Sequence, residues 1–394
     1  MKGDKNLWIL IFVCVINSLG FGIIVPLLYT YGKKFGMTPE TMGFLTASFS
    51  VAQFFATPLL GALSDKWGRK PLLAISLAGT CASFLLFASA RSIILLFAAR
   101  ILDGLTGGNI SIAQAMISDT SKPEDRAKKF GYLSSAFGLG FVLGPALGGL
   151  LSKFGLQAPF YFAAGIALLG TLSTVFLLKE TRPADQRSDP KSRPKFTFAS
   201  LVTVLKTPVI GTAIFTGFLL AMAQFTMIIG FQTFNVDVLK NSPSKIGWFY
   251  AGLGITGIIM QLCVPFFTKI FSSKSLILLL STALCGVAMF ASGLTSTFIF
   301  FAIYIFVYGL FNGLRNPMLN AIIADHNSPD KQGEVLGVNQ SYASIGQTLG
   351  PVGAGLINDI SVHAVFFLAA FYILIGFLLT FRLKSKEQQI PGQS

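Results

Sequence analysis

Charged residues are scarce in this sequence. Only 12% of its 394 residues are Asp, Glu, Lys or Arg, whereas a soluble globular domain carries about 25%. Histidine occurs twice, and the four cysteines form no C-x-x-C pair. The P-loop lysine motif, H-E-x-x-H and G-x-S-x-G are also missing, and these are signatures of nucleotide, zinc-protease and esterase sites. The absences argue against a soluble enzyme, and we expect neither a cofactor nor a metal.

The sequence is rich in apolar residues. They make up 53% of the sequence, and the mean hydropathy is +0.69. A window of about 19 residues finds twelve apolar runs, each long enough to cross a hydrocarbon core of about 30 Å as a helix. The runs cover residues 7–31, 42–63, 71–90, 93–118, 130–152, 158–178, 209–235, 246–270, 275–293, 298–324, 335–357 and 362–381. We therefore predict an all-α membrane protein with twelve transmembrane helices.

The distribution of basic residues predicts the topology. The first run is longer than a signal-peptide core of about 7–15 residues and no small-x-small cleavage site follows it, so we predict a retained helix. With the N-terminus in the cytoplasm, only six of the 30 lysines and arginines lie on the opposite face: Lys33, Lys34, Arg91, Lys153, Lys240 and Lys245. This positive-inside bias places both termini in the cytoplasm, at a plasma membrane. The net charge of +14 therefore indicates topology rather than a nucleic-acid partner.

An internal repeat divides the chain. A shift of 206 residues aligns 107–149 with 313–355 without a gap, and the identities include Gly107 with Gly313, Asp119 with Asp325, Pro145 with Pro351 and Gly149 with Gly355. A parallel repeat of this kind predicts two six-helix bundles related by pseudo-two-fold symmetry. We expect the bundles at 1–178 and 207–381, a solvated cytoplasmic linker at 179–206 and a cytoplasmic tail at 382–394.

The loop between the second and third runs carries a candidate cluster of paired charges. It reads Gly-Ala-Leu-Ser-Asp-Lys-Trp-Gly-Arg-Lys over residues 61–70. Its glycines permit a sharp turn and a close approach of helices, and Asp65 can accept from helix N-terminal amides or pair with Arg69. Asp119, at the end of the fourth run, is the natural third member. This loop cluster consists of Gly61, Asp65, Gly68, Arg69, Lys70 and Asp119. The alternative is a plain positive-inside loop with incidental acids. The corresponding loop at 269–274 lacks the Asp and Gly, so we expect the cluster in one half only.

Arg100 and Asp103 place two opposite charges inside the fourth run. Charges within a span are costly, so they normally face a cavity and pair, and residues at i and i+3 share a helix face. Asp103 is the one acid well inside a predicted span, which makes it the candidate proton carrier with Arg100 as its partner. The alternative is a structural ion pair without a role in turnover.

Residues 140–149 follow the pattern G-x-x-x-G-P-x-x-G-G, with Gly140, Gly144, Pro145, Gly148 and Gly149. The glycines allow another helix to pack closely, and the proline bends the span. A phosphate-binding loop is not expected, because no strand precedes the pattern and the run is apolar.

Together the loop at 61–70, the intramembrane Arg100 followed by Gly104, and the pattern at 140–149 resemble the major facilitator superfamily. In that family the loop cluster latches the cytoplasmic side shut and favours the outward-open state, so we call it the gate cluster. The 140–149 pattern is associated in the family with antiporters. The first helix from Asn17 to Pro26 resembles drug antiporters, although several tetracycline-type exporters carry an acid where this chain has Asn17. The resemblance is to the drug:proton antiporter branch, and within it to tetracycline-resistance-like proteins with twelve helices.

Polar and aromatic residues within the runs are candidates for the substrate cavity: Asn17, Phe21, Asn109, Gln224, Asn312, Arg315 and Gln340. Asn17 could equally join two helices by a hydrogen bond. Arg315 is the only charge well inside the second half, and the 206-residue shift aligns it with Asn109. A buried guanidinium can receive a substrate carboxylate or phosphate, or it can cap carbonyls toward the cytoplasmic end of its helix.

The resemblance implies a secondary active transporter rather than an enzyme. Because the sequence has no ATP-site motif, an ion or substrate gradient must supply the energy. We predict a proton-coupled antiporter that exports small lipophilic compounds, tetracycline-like or multidrug, by alternating access. Its expected partners are a small-molecule substrate, protons and the lipid bilayer, and it is expected to be a monomer. The alternatives are an exporter of a metabolite, sugar, siderophore or lipid precursor, and a non-transporting receptor or scaffold.

Overall fold

The computed structural model describes residues 5–121, 123–182, 203–271, 273–327 and 332–388, and its regular secondary structure in these ranges is helical. The helices are α1 (Lys5–Gly32), α2 (Pro39–Trp67), α3 (Arg69–Ala88), α4 (Ile93–Leu105), α5 (Asn109–Thr120), α6 (Pro123–Leu151), α7 (Ala158–Phe176), α8 (Pro208–Thr233), α9 (Pro243–Leu262), α10 (Val264–Ile270), α11 (Lys274–Leu294), α12 (Phe298–Asp325), α13 (Gln332–Asn358) and α14 (Val362–Gln388). Serine caps begin two of them. Ser92 accepts from the Leu95 amide at 3.4 Å, and Ser273 accepts from the Leu276 amide at 3.2 Å, which satisfies amides that a helix start leaves free.

The predicted apolar runs coincide with these helices. Two runs are interrupted: 93–118 forms α4 and α5, and 246–270 forms α9 and α10, which bend by 45°. Ten of the described helical segments are long and apolar enough to cross a membrane, or eleven when α9 and α10 count as one span. The remaining run forms α13, a helix of 27 residues that is rich in Gly, Ser and Gln and therefore less apolar. The predicted all-helical architecture is confirmed.

The break between α4 and α5 has a local cause. The chain leaves the helix at residues 106–108, where Gly107 and Gly108 follow Thr106. The carbonyls freed there find donors, because Ser76 donates to the Thr106 carbonyl and Gln53 donates to the Gly107 carbonyl at 3.3 Å. A helix interruption inside a membrane is tolerated when neighbouring side chains satisfy its backbone in this way.

The described residues group into two compact units. Unit 1 takes its residues from Met1–Thr38, Ser48–Pro194 and Asn241–Ala251. Within it, α1 packs on α5, α6 and α7, and α3 packs on α4, α5 and α7. Its core joins Leu10 and Val13 of α1 to Leu73 and Leu77 of α3 and Ile112 of α5. These buried side chains hold the helices that carry the charged residues.

Unit 2 takes its residues from Pro39–Ala47, Lys195–Lys240 and Gly252–Ser394. Within it, α8 packs on α12, α13 and α14, and α11 packs on α12 and α14. In the order of the chain, α8 occupies the place that α1 has in unit 1, and α13 and α14 occupy those of α6 and α7. The repeat seen in the sequence therefore recurs as the same pattern of packed neighbours inside each unit.

Candidate functional site

The intramembrane pair, Arg100 and Asp103, is formed as predicted. Both residues lie on α4 one turn apart, and Nη1 of Arg100 is 3.2 Å from Oδ2 of Asp103. The two side chains keep only 3% and 13% of their surface exposed. The guanidinium also lies over the ring of Phe49, 4.1 Å from its centroid. The pair is therefore shielded from water and shares an aromatic neighbour.

Hydroxyl groups of α3 surround the acid of this pair. Thr80 and Ser83 of α3 lie beside the Asp103 carboxylate. Asn109, at the start of α5, donates from Nδ2 to the Thr80 hydroxyl at 3.4 Å, and its Oδ1 has no partner among the described residues. One buried polar cluster thus links α3, α4 and α5. Thr80 and Ser83 were not predicted, although hydroxyl residues at i and i+3 in an apolar run are a readable signal.

The chemical capacity of the cluster follows from its charges. An ionised carboxylate and a guanidinium in contact are neutral together, so the pair can remain buried. A proton on the carboxylate would leave the guanidinium without a counter-charge, which is costly in a dry site. A hydroxyl can donate a hydrogen bond to a carboxylate or accept one from a protonated carboxyl. Thr80 and Ser83 therefore suit either protonation state of Asp103. The cluster can therefore bind and release a proton or an ionic group.

An aromatic group adjoins the pair. It consists of Phe21, Phe49, Phe141 and Tyr250, all in unit 1. The Phe21 ring centroid lies 5.8 Å from that of Phe141 and 6.5 Å from that of Phe49, and Phe141 lies 6.5 Å from Tyr250. Of these, only Phe21 was predicted, because 39 phenylalanines give the sequence no way to distinguish the others. Asn17, one turn before Phe21 on α1, is half-buried.

Part of the gate cluster is assembled around Arg69, at the start of α3. Its Nη2 is 2.5 Å from Oδ1 of Asp65 and its Nε is 3.1 Å from Oδ2 of Asp119, while Nη1 donates to Ser64 at 2.7 Å. The Arg69 and Asp65 side chains keep 8% and 4% of their surface exposed. The predicted triad is thus formed: the buried Arg69 guanidinium pairs with the buried carboxylate of Asp65 and with the more exposed carboxylate of Asp119.

The two glycines of the gate cluster differ in their surroundings. Gly68 connects α2 to α3 with a φ of 106°, a conformation that residues with a Cβ rarely adopt, so it permits the predicted sharp turn. Gly61 lies inside α2, and a Cβ placed there would meet no described atom within 4 Å. The close helix approach expected at Gly61 is therefore not found.

A segment that the sequence did not single out completes this network. Glu180 accepts from the amides of Arg69 and Lys70 at 3.0 and 3.1 Å. Arg182 donates to Oδ1 of Asp65, and Thr181 donates to Oδ2 of Asp119 at 3.3 Å. These residues begin the stretch predicted as a solvated linker, and here they are held by hydrogen bonds. Residues 183–202 of that stretch lie outside the described part of the chain.

The glycine pattern of α6 packs on two sides within unit 1. A Cβ on Gly144 would lie 2.7 Å from the Leu19 carbonyl of α1, and a Cβ on Gly140 would fall on the Ser18 hydroxyl. On the other side, a Cβ on Gly149 would lie 3.0 Å from the Ser244 carbonyl of α9. Pro145 and Gly148 lie beside α1, near Gly22 and Ile23 respectively. The close packing predicted for this pattern is what these contacts show.

In unit 2, Arg315 is buried with incomplete pairing. It is 2% exposed, and its Nη2 donates to the Leu220 carbonyl of α8 at 3.1 Å. Its Nε and Nη1 have no hydrogen-bond partner among the described residues. Cys285 and Tyr308 lie beside the guanidinium. Of the other candidates, Gln224 and Asn312 are half-buried on α8 and α12, and Gln340 is exposed on α13.

In the described part of the second loop, an ion pair joins Lys274 to Asp325. Nζ of Lys274 lies 2.5 Å from Oδ2 of Asp325, the residue that the repeat aligns with Asp119. These side chains keep 38% and 42% of their surface exposed, and exposed pairs contribute little stability. The counterpart of the buried gate cluster is thus a weak surface contact.

Long apolar helices in two similarly packed units, with an ion pair buried inside one span, define a multi-pass α-helical membrane protein. The sequence model of the Major Facilitator Superfamily matches residues 10–274 and 214–393. The chain belongs to the Major Facilitator Superfamily, a family of membrane transporters, which confirms the predicted twelve-helix fold in two bundles.

Curated relatives match over nearly the whole chain. Multidrug resistance protein 2 of Bacillus subtilis (strain 168) is 29% identical, with 98% of each protein covered. Quinolone resistance protein NorA of Staphylococcus aureus (strain MSSA476) is 28% identical, with 98% of this chain and all of NorA covered.

Solved structures show the same fold. The human organic anion transporter MFSD10 aligns with a TM-score of 0.70 at 21% identity, covering 96% of this chain and 100% of that one. A bacterial homologue of the lysosomal transporter Spinster, in an inward-facing and occupied conformation, aligns with a TM-score of 0.79 at 15% identity, covering 96% of both chains.

Proposed function

We propose that this transporter is a proton-coupled antiporter that exports small lipophilic compounds across a bacterial plasma membrane by alternating access. The observation that carries the proposal is the buried pair of Arg100 and Asp103, because ionisable residues inside a span are typical of proton relays. The relatives named for multidrug and quinolone resistance support drug-like cargo. A receptor or scaffold would have no use for a buried pair that can change its charge.

The pair supplies the coupling step. A proton that enters from outside neutralises the Asp103 carboxylate and removes the counter-charge of Arg100, which lies 3.2 Å away. The uncompensated guanidinium raises the free energy of this conformation, and the raised free energy favours a conformational change. Loss of the proton to the cytoplasm restores the pair and resets the transporter.

The aromatic group supplies the contact surface for cargo. Rings offer large apolar faces that stack on planar compounds, and Phe49 connects that surface to Arg100. A compound bound on these rings changes the contact between Phe49 and Arg100, and so the environment of the ion pair. Cargo binding and protonation are thereby coupled through one side chain.

The gate cluster closes the cytoplasmic side. In this proposal both termini, the linker at 179–206 and the tail at 382–394 face the cytoplasm. The bundles at 1–178 and 207–381 move against each other, and the protein acts as a monomer. The Arg69 network with Asp65 and Asp119 holds one end of the first bundle rigid during that motion.

Transport in proteoliposomes tests the proposal. The purified protein is reconstituted, a pH gradient is imposed, and movement of a cationic dye, a quinolone and a tetracycline is followed. We expect gradient-driven transport of at least one probe, lost in Asp103→Asn and retained in the exposed control Asp359→Asn. Transport that no longer needs the gradient in Asp103→Asn would place coupling at that acid. Unchanged gradient-driven transport in Asp103→Asn would refute the coupling role.

A second candidate function is export of an anionic metabolite, and the unpaired nitrogens of Arg315 favour it. A guanidinium that is 2% exposed and lacks an acidic partner among the described residues can receive a carboxylate. The test compares a quinolone acid with its methyl ester in wild type, Arg315→Lys and Arg315→Gln. Selective loss of the acid in Arg315→Gln would support anionic cargo, and equal transport of both compounds in all three proteins would exclude it.

A further inference from the structure

The segment that follows α7 is fixed before it reaches the gate cluster. Leu178 is 1% exposed and belongs to the core of unit 1. The next residue, Lys179, forms a reciprocal pair with Asn6 of α1: its amide donates to Oδ1 at 3.1 Å, and its carbonyl accepts from Nδ2 at 3.3 Å. One apolar and two polar contacts thus set the position of residues 179–182, which we call the α7 strap.

Glu180 of the strap caps α3. Helix starts leave amides without partners, and Gly68 has no side chain with which to cap this one. The Glu180 carboxylate accepts from the first two amides of α3, those of Arg69 and Lys70, at 3.0 and 3.1 Å. It also accepts from the amides of Thr181 and Arg182 at 2.9 and 3.0 Å. A carboxylate here also interacts favourably with the helix dipole, so Glu180 holds the backbone from which the Arg69 side chain extends.

Arg182 of the strap adds a second positive charge to the gate cluster. Asp65, Asp119 and Arg69 alone carry two negative charges and one positive charge. Arg182 donates to Oδ1 of Asp65, the same oxygen that pairs with Arg69. The Asp65 side chain keeps only 4% of its surface exposed, and buried charges require nearby compensation. The Arg182 guanidinium therefore supplies a second positive charge beside the buried Asp65 carboxylate.

We infer that the α7 strap is a working part of the gate: Glu180 and Arg182 are positioning residues that set the geometry and charge of Asp65 and Arg69. This inference rests on the proposed gating role of those two residues. The strap bonds to the gate at both of its acids and at the start of α3, so a change in the position of residues 180–182 changes the gate directly. It acts on the rate of conformational exchange and leaves the binding of cargo unchanged.

Hydrogen exchange tests the strap without reference to transport. Exchange at the amides of Arg69 and Lys70 is measured by mass spectrometry on the full chain in detergent. We expect Glu180→Ala to speed exchange at these amides about tenfold. Lys179→Ala is the matched control, because it removes an exposed charge and keeps both backbone bonds to Asn6. Unchanged exchange in Glu180→Ala would overturn the capping role.

Transport kinetics test the charge role. In proteoliposomes we expect Arg182→Ala and Asp65→Asn each to lower the maximal rate about tenfold, with the KM for the dye unchanged within about twofold. Arg182→Lys should recover most of the rate, and the double variant should be no slower than the slower single variant. A rate loss in Lys179→Ala as large as in Arg182→Ala, a change confined to KM, or losses that multiply in the double variant would each contradict the inference. If wild type moves no probe, the proposed function fails, and hydrogen exchange alone decides the role of the strap.

Discussion

Arg100 lies over the face of Phe49, with its guanidinium carbon 4.1 Å from the ring centroid, while the same guanidinium pairs with Asp103. The two contacts come from different helices, since Phe49 is on α2 and the acid is on α4. A cation over an aromatic face gains about 2 kcal/mol when it is desolvated. Phe49 therefore belongs both to the ion pair and to the aromatic group that faces Phe21.

Replacing Phe49 should weaken cargo binding more than stability. We expect Phe49→Leu to raise the KM for a planar cationic dye about fivefold, because stacking and the cation–π contact are both lost. Phe49→Tyr should stay close to wild type. The exposed Phe55→Leu, on the same helix, is the control. Dye transport at several concentrations gives the KM, and an unchanged value in Phe49→Leu would contradict the assignment.

Replacing one member of the intramembrane pair should lower the free energy of unfolding more than replacing both members. Arg100→Ala leaves the Asp103 carboxylate buried without its guanidinium, and we expect about 3–5 kcal/mol of destabilisation. The double variant Arg100→Ala with Asp103→Ala should be less destabilised than Arg100→Ala alone. Unfolding in detergent measures both, with the exposed Arg91→Ala as a reference. A double variant that is less stable than Arg100→Ala would contradict this expectation, and the single variant Asp103→Ala completes the cycle that gives the coupling energy of the pair.

A glycine-to-alanine substitution should destabilise the protein in α6 and stabilise it in α7. Gly144→Ala places a Cβ about 2.7 Å from the Leu19 carbonyl, so α1 and α6 must separate at a cost of about 1–3 kcal/mol. Gly165 of α7 has no described atom within 4 Å of such a Cβ, and Gly165→Ala should gain about 0.5–1 kcal/mol from helix propensity. Thermal unfolding compares the two, and equal shifts would argue against tight packing at Gly144.

The two loops related by the repeat should differ in importance. Arg69→Ala removes the guanidinium that pairs with the buried Asp65 carboxylate and with Asp119, and we expect a loss of about tenfold or more in the maximal transport rate. Lys274→Ala removes a pair that is more than one-third exposed, so the rate should stay within about twofold. Equal losses would mean that the gate operates in both halves.

Much of the fold was readable from the sequence because membrane spans obey one strong constraint. Backbone groups in hydrocarbon must be satisfied within the helix, so length and hydropathy alone located the helices. The interruption at residues 106–108 was not predicted, because it depends on Ser76 and Gln53 reaching the freed carbonyls. Such tertiary hydrogen bonds leave no periodic signal in the chain.

Candidate site residues could be predicted from the sequence where charged residues occur in or beside apolar runs. Arg100, Asp103, Asp65 and Arg69 stand out as ions in or beside apolar runs, and the structure pairs them. Glu180 looked ordinary, because an acid in a charged linker has no distinguishing pattern until the start of α3 is placed beside it. Phe49 was likewise one phenylalanine among 39.

The break between α4 and α5 lies between two acids of one membrane-crossing segment. Asp103 precedes it and Asp119 follows it, and each holds a different arginine. A continuous helix would transmit any rotation of one acid rigidly to the other. Because the interruption separates them, Asp103 and Asp119 lie on two helices, α4 and α5, that no continuous helical hydrogen-bond ladder joins. Substitutions at residues 106–108 should therefore leave the Arg100–Asp103 and Arg69–Asp119 pairs intact and change how closely the opening of one pair follows the opening of the other.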